Sequence, residues 1–149
     1  MIFVSLIANV ALLVALETSV GAPAPAPKAE ILGLWKGAST CTKVEGNDFC
    51  HDETVVYNFV DVPDKPATVA LKAARIVDGT VRRTFDLYFT YRPDTGDWTC
   101  EFDRDRSRGA WTYVVAGDGL AGTAMLLPER KIVRNVTAKR TTKDQVLAP

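Results

Sequence analysis

The chain has 149 residues, of which 47% are apolar and 24% charged, and its 18 basic residues are balanced by 18 acidic ones. These proportions are ordinary for one soluble globular domain. Because no basic excess is available to attract phosphate groups, nucleic acid is not expected as a partner.

The first sixteen residues carry no charged side chain and are too short for a membrane span, which favours an export signal. Small residues at Gly21 and Ala22 indicate cleavage there, giving a signal peptide over residues 1–22, with an uncleaved anchor as the alternative. The segment "APAPAPK" predicts an extended linker over residues 23–30, with an inserting arm as the alternative. Loss of Glu17 with the signal leaves 18 basic against 17 acidic residues.

Almost every segment after Glu30 alternates between apolar and polar residues, and turn signals recur about every ten residues. In "VRRTFDLYFTY", Phe85, Leu87 and Phe89 share one face, a spacing that predicts a strand and not a helix. The predicted strands are Leu32–Thr42, His51–Val60, Ala67–Val77, Val81–Arg92, Asp97–Asp103, Gly109–Ala116, Leu120–Leu127 and Lys131–Arg140.

Eight strands joined by short turns predict an all-β fold: an eight-stranded antiparallel up-and-down barrel with no substantial helix in the mature domain. Closure removes the exposed sheet edges. An open sandwich is the alternative, although the short connections disfavour the long crossovers of a Greek key. The barrel domain is expected over residues 31–140, followed by a flexible tail over residues 141–149.

Three cysteines in an exported chain indicate an oxidising destination. Cys41 and Cys50 flank "TKVEGNDF", which looks like a hairpin connection, and they are expected to form a disulfide. Cys100 lies in phase with Trp98 and Phe102, which predicts a buried thiol; a reactive or intermolecular cysteine is the alternative.

The start of the first strand, Gly33-Leu34-Trp35, resembles the Gly-X-Trp signature of lipocalins and their calycin relatives, including short bacterial lipocalin-like secreted proteins. The resemblance implies that Trp35 lies inside the closed end of the barrel, with a basic side chain of the last strand stacked over it. A large ring fills the taper of a barrel independently of any family. Because the last strand must run antiparallel to the first, Arg140 is the expected stacking partner.

The first hairpin contains a conflict of register. Cys41 shares the phase of Trp35, which points inward. A Cys50 bridged directly to Cys41 would also point inward, and alternation along the second strand would then place Val56 inside. The more apolar set on that strand is instead the one that contains Tyr57. A bulge near residue 37 or near residue 51 is expected to reconcile the two.

The side chains in the inward phase are largely aromatic, and they suit an apolar ligand or a filled core equally well. Arg83 and Arg134 share this phase. They either reach the mouth and extend into water or, if both point inward, hold a carboxylate or phosphate above an apolar tail. The candidate ligand-binding residues are Arg83, Phe85, Phe89, Trp98, Phe102, Trp111, Tyr113 and Arg134.

The segment "CHDE" is the only cluster that suggests metal binding or acid–base chemistry. His51 and Glu53 share a face while Asp52 faces away, so at most two ligands converge, and capping of the second strand is the preferred interpretation. His51 is the only histidine and lies beside the expected disulfide, so haem ligation is not supported. No catalytic residue, metal or cofactor is predicted.

These features predict a secreted or periplasmic lipocalin-like protein that binds a small apolar or amphipathic ligand and is not an enzyme. The alternative is a protein-binding module such as a small secreted protease inhibitor, whose Pro-rich arm would enter the target. No transmembrane span is expected in the mature chain.

Overall fold

The computed structural model describes residues 27–45, 50–104 and 107–144. Within these ranges the elements are helix α1 (Lys28–Ile31) and strands β1 (Gly33–Cys41), β2 (Glu53–Asp61), β3 (Thr68–Val77), β4 (Thr80–Arg92), β5 (Asp97–Arg104), β6 (Ser107–Ala116), β7 (Gly119–Leu127) and β8 (Lys131–Thr142). Each predicted strand is present, and its ends lie within two residues of the predicted ones.

Several predicted features lie outside the described residues. They are the signal peptide at residues 1–22, the linker up to residue 26, residues 46–49 of the first connection and residues 145–149 of the tail. Where the expected linker is described, its last residues form α1, and β8 continues two residues past the expected end of the barrel. In the described part of the chain, no helix has both the length and the apolar character needed to cross a membrane.

The eight strands form one closed barrel in which each strand pairs antiparallel with the next. The barrel closes through β1 and β8, where Trp35 is the register partner of Arg140. On its other side Trp35 pairs with Tyr57 of β2. The predicted up-and-down barrel is therefore confirmed, and the open sandwich is excluded.

The inward face of each strand supplies the core. On β3, Val69, Leu71 and Ala73 are buried and alternate with the less buried Ala70 and Lys72, as the period of two residues requires. The largest fully buried side chains are those of Trp35, Trp98, Tyr113, Phe59 and Phe89. The aromatic residues of the inward phase thus fill much of the barrel.

One end of the barrel is closed by Trp35, whose side chain is fully buried. Its indole Nε1–H donates to the carbonyl oxygen of Ile31 at 2.8 Å, which ties the ring to α1. The Arg140 Cζ atom lies 4.1 Å from the centroid of the Trp35 ring, so the predicted cation–π contact is present. We call this the closed end and the opposite end the open end.

The first hairpin accommodates its disulfide without the predicted bulge. The β1–β2 ladder has no shift in register and stops at the pair Ser39–Glu53. Beyond that pair the chain leaves β2, and the Cys41 N–H donates to Asp52 Oδ1 at 2.7 Å. The disulfide between Cys41 and Cys50 is present and lies past the ladder, where the two cysteines need not share a face. The expectation of a bulge in this hairpin is wrong.

The ladder between β4 and β5 is short. It contains three residue pairs, from Arg92–Asp97 to Thr90–Thr99. β4 pairs with β3 along most of its length, so its residues before Thr90 have a partner strand on one side only. The two strands consequently separate toward the open end.

Candidate binding cavity at the open end

The open end of the barrel contains a cavity of about 240 Å³. Its walls come from β1, β2, β3, β4, β6 and β8. The lining residues are Ser39, Glu53, Val55, Tyr57, Ala74, Arg75, Thr84, Phe85, Trp111 and Arg134. The interior is therefore filled toward the closed end and hollow toward the open end. The two predicted alternatives, a filled core and an interior suited to an apolar ligand, each describe one end of the barrel.

One wall of the cavity is aromatic. The ring centroids of Phe85 and Trp111 are 6.0 Å apart. The Trp111 ring also stacks on Tyr113, with centroids 6.1 Å apart and an interplanar angle of 14°. Below this wall, Tyr113 packs against Phe59 and Phe89 at 5.8 and 5.2 Å, so these three rings form the floor. The wall offers flat apolar surfaces to a ligand, and the floor limits how deep it can reach.

The rim of the cavity carries charge. Glu53 lies between two arginines, with Oε1 2.7 Å from Arg75 Nη1 and Oε2 3.5 Å from Arg134 Nη1. The shorter bonds of Arg134 go to neutral oxygens, since Nη1 donates to Ser39 Oγ at 2.8 Å and Nη2 to the His51 carbonyl at 2.7 Å. The guanidinium of Arg134 is thus held in one orientation at the mouth.

Arg83 does not belong to this cavity, contrary to the inward phase assigned to it. The β3–β4 register shifts after the pair Ala73–Phe85, and the next pair is Ala74–Arg83. The extra residue on β4 is Thr84, and it lines the cavity in place of Arg83. Arg83 lies outside, exposed and paired with its near neighbour Asp86. A β-bulge exchanges the faces of the residues before it, which accounts for the difference.

A second shift of register determines what faces the cavity on β8. Ala124 pairs with Arg134 and Met125 pairs with Ile132, so Val133 is the extra residue. Ile132 lies two residues before Arg134, so strict alternation would place the two side chains on the same face. The bulge separates them, and 39% of the Ile132 surface is exposed. Arg134 keeps its expected inward position and lines the cavity.

Besides Arg83, four predicted ligand-binding residues lie away from the cavity lining. Phe89 and Tyr113 are fully buried in the core beneath it. Trp98 is buried nearer the closed end, and its ring packs on Tyr91 with centroids 5.2 Å apart. Phe102 is half-buried against Gly109, where an added Cβ atom would come within 2.5 Å of its ring. The structure therefore brings together Phe85, Trp111 and Arg134 from the predicted set.

Arg75 and Glu53 were not predicted as rim residues. Arg75 continues the inward series Val69, Leu71 and Ala73 of β3, and Glu53 begins the inward series of β2. Alternation alone therefore places both at the open end. Glu53 was instead interpreted as part of a cap of the second strand, and Arg75 was not singled out because a charged residue at the end of a strand is usually a solvated one.

Burial keeps the phenols near the cavity neutral. Burial raises the pKa of Tyr57, and the nearby charge of Arg134 opposes part of that rise. The pKa of Tyr113 is raised well above its ordinary value, mainly by complete burial and further by the phenol of Tyr57. Among the residues that the structure describes, the Tyr113 hydroxyl nevertheless has no partner in hydrogen-bond geometry. The cavity thus has neutral hydroxyl groups beside and beneath it and arginines at its rim.

Cys100 is buried and free, as predicted. Burial raises the pKa of its thiol, which disfavours the reactive thiolate. In the "CHDE" segment, Asp52 accepts from the Cys41 N–H and Glu53 pairs with the rim arginines. Among the residues described, no group of three or more histidine, cysteine or acidic side chains is placed to hold a metal ion.

Eight antiparallel strands in chain order, closed on themselves, are consistent with a lipocalin-like fold. No protein-family model matches the sequence, and no curated protein matches it. Its disulfide fits an extracellular compartment.

Proposed function

We propose that this chain is a lipocalin-like binding protein, secreted or periplasmic, that holds one small apolar or amphipathic molecule in its open-end cavity and catalyses no reaction. The observation that carries the proposal is the joining of an apolar wall, Phe85 and Trp111, to a fixed charged group, Arg134, in one hollow inside a closed barrel. Binding sites for small molecules combine these elements: apolar surface supplies affinity, and a few placed polar groups supply orientation.

The size of the cavity restricts the ligand. A buried cavity of about 150 Å³ is enough to hold a benzene ring, whereas this one measures about 240 Å³. The ring layer of Phe59, Phe89 and Tyr113 closes it below. The proposed ligand therefore has one or two rings, or a short branched chain, and a longer chain would have to project through the mouth or between β4 and β5.

The test is to fill the cavity by one substitution and to compare it with the same substitution outside. Val55 is buried, faces inward and lines the cavity, whereas Val114 is 47% exposed on the outer face of β6. Binding of hydrocinnamyl alcohol, a neutral probe, is measured by titration calorimetry. Val55→Phe is expected to weaken this binding at least about tenfold, and Val114→Phe to leave it unchanged.

Equal binding by wild type and Val55→Phe would place the probe outside this cavity. Native mass spectrometry of protein purified without detergent provides an independent check, because a retained small molecule should disappear in Val55→Phe and remain in Val114→Phe. The exported chain is expected to begin near Pro23, which N-terminal sequencing checks; a purified chain that retains residues 1–22 contradicts cleavage.

A protein-binding role is the second candidate, and the anchoring of α1 favours it. Lys28 Nζ donates to the carbonyl oxygens of Val62 and Lys65 at 3.2 and 2.7 Å and pairs with Asp61, while Ile31 is fully buried. A segment preceding Lys28 would leave the barrel from a fixed point. Deletion of residues 23–26 should then abolish binding to a target protease without lowering thermal stability, and retained inhibition would exclude this role.

A further inference from the structure

The charges around the cavity do not balance. Two arginines and one glutamate line it, which leaves one positive charge in excess. Glu53 is engaged most closely by Arg75, at 2.7 Å, and lies 3.5 Å from Arg134. Arg134 is the more buried of the two arginines, with 18% of its side chain exposed against 47% for Arg75. The poorly compensated cation is therefore the one least accessible to water.

A cation in that position is costly unless an anion accompanies it. Partial burial removes water from the Arg134 guanidinium, and hydrogen bonds to the neutral Ser39 hydroxyl and His51 carbonyl restore only part of the lost solvation. Those bonds also fix the orientation of the planar group before any ligand arrives. A fixed, incompletely neutralised guanidinium favours a planar carboxylate, which it contacts in a bidentate manner.

We infer that the ligand of this cavity is a small monocarboxylate with a compact ring-bearing body, its carboxylate held at the rim by Arg134 and Arg75 and its body against Phe85 and Trp111. This inference rests on the proposed function and names the chemical class of its ligand. One carboxylate brings the charge of the rim to zero, whereas a phosphate dianion would leave it negative beside Glu53. An amine would add a second uncompensated positive charge.

The experiment compares three probes that share one phenylpropyl skeleton: hydrocinnamate, hydrocinnamyl alcohol and phenylpropylamine. At neutral pH they are an anion, a neutral molecule and a cation, and their apolar bodies are the same. Affinities are measured by titration calorimetry and by tryptophan fluorescence excited where a phenyl ring does not absorb. Hydrocinnamate is expected to bind about tenfold more tightly than the alcohol, because charge-assisted hydrogen bonds are stronger than neutral ones, and the amine is expected to bind most weakly.

Three variants assign this preference to the rim. In Arg134→Gln the anion and the alcohol should bind within about twofold of each other, because the anion loses its charge-assisted bonds. Arg75→Gln should also bring the affinities for the anion and the alcohol within about twofold of each other, because Glu53 then neutralises Arg134. If Arg134→Gln does not fold, Arg75→Gln tests the role of the rim charge independently. Arg108→Gln is the control: this arginine is 62% exposed, pairs with Glu101 and does not line the cavity.

The outcomes separate the inference from the proposed function. Equal affinity for the anion and the alcohol, or a preference for the amine, overturns the inference and leaves a binding cavity in place. An anion preference that survives in both Arg134→Gln and Arg75→Gln also overturns it, since the carboxylate must then lie elsewhere. If the wild-type protein binds none of the three probes, the proposed function itself fails for molecules of this size.

Discussion

Replacing Arg140 by methionine should destabilise the barrel strongly. The Arg140 side chain is only 6% exposed. Its guanidinium stacks on Trp35, its Nη1 donates to the Leu32 carbonyl at 2.6 Å, and its Nη2 donates to the carbonyl of Glu30. It also contacts the turn between β6 and β7, where Nε donates to Asp118 Oδ1 at 3.0 Å. One side chain therefore joins α1, β1, β8 and this turn at the closed end.

The magnitude can be built from these contacts. The cation–π contact contributes about 1–2 kcal/mol in a desolvated position. The part-buried Leu32 carbonyl loses a charge-assisted bond worth about 1–3 kcal/mol, and the more exposed Glu30 carbonyl recovers most of its loss from water. Asp118 adds little because 78% of its side chain is exposed. Arg140→Met should lower the free energy of unfolding by about 2–5 kcal/mol, which lowers Tm by about 8–20 °C.

Chemical denaturation followed by circular dichroism measures this change, with Arg108→Met as the matched control. Arg108 is 62% exposed and forms one surface ion pair, so its replacement should change stability by less than about 0.5 kcal/mol. Arg140→Lys should fall between the two, since lysine keeps the charge over Trp35 and loses the planar fork. A loss below about 1 kcal/mol in Arg140→Met would refute the view that this residue holds the closed end together.

Three further predictions concern the core and the first hairpin. Tyr113→Phe should leave stability unchanged or raise it by about 1 kcal/mol, because it removes a buried hydroxyl that has no hydrogen-bond partner in the described part of the chain. Above the ordinary tyrosine pKa of 10.0 the unfolded chain releases a proton from Tyr113 that the folded chain keeps, so the free energy of unfolding falls as pH rises. Urea titrations at several pH values should show a shallower fall in Tyr113→Phe than in wild type. The same dependence on pH in both proteins would contradict the burial of this phenol. Gly37→Ala should fail to fold or lose more than about 3 kcal/mol, since its Cβ would lie 1.9 Å from the Thr137 carbonyl oxygen; soluble expression with an unchanged melting curve would contradict the close approach of β1 and β8. Replacing Cys41 and Cys50 together by serine should cost about 2.5–3 kcal/mol through loop entropy, and an unchanged urea midpoint would show that the bridge does not constrain the unfolded chain.

Alternation and turn spacing were sufficient for the fold because each strand repeats the same local signal. The number of strands and the short connections then allow one simple closure, and closure alone places the end of β8 beside the start of β1. The Trp35–Arg140 contact follows from that topology. A prediction of this kind needs no knowledge of side-chain packing.

The lining of the cavity depended on features that local patterns do not encode. The bulges at Thr84 and Val133 change which residues face inward, and a bulge is determined by the twist of the whole sheet. The alternation therefore placed Arg83 inside, although it lies outside. Alternation places Arg75 and Glu53 at the open end, but their contact also depends on the register of the β2–β3 hairpin, which the sequence pattern does not specify.

The most direct test of the central claim uses the three tryptophans as positional markers. Trp35 is buried at the closed end and Trp98 is buried near it, whereas Trp111 lines the open-end cavity. Each indole N–H gives one resonance in a ¹⁵N-correlated NMR spectrum, and the three are assigned by single replacement with phenylalanine. Titration with hydrocinnamate should produce a saturable shift of the Trp111 indole resonance and leave that of Trp35 in place. Saturable binding without a shift at Trp111 would contradict a ligand site in this cavity.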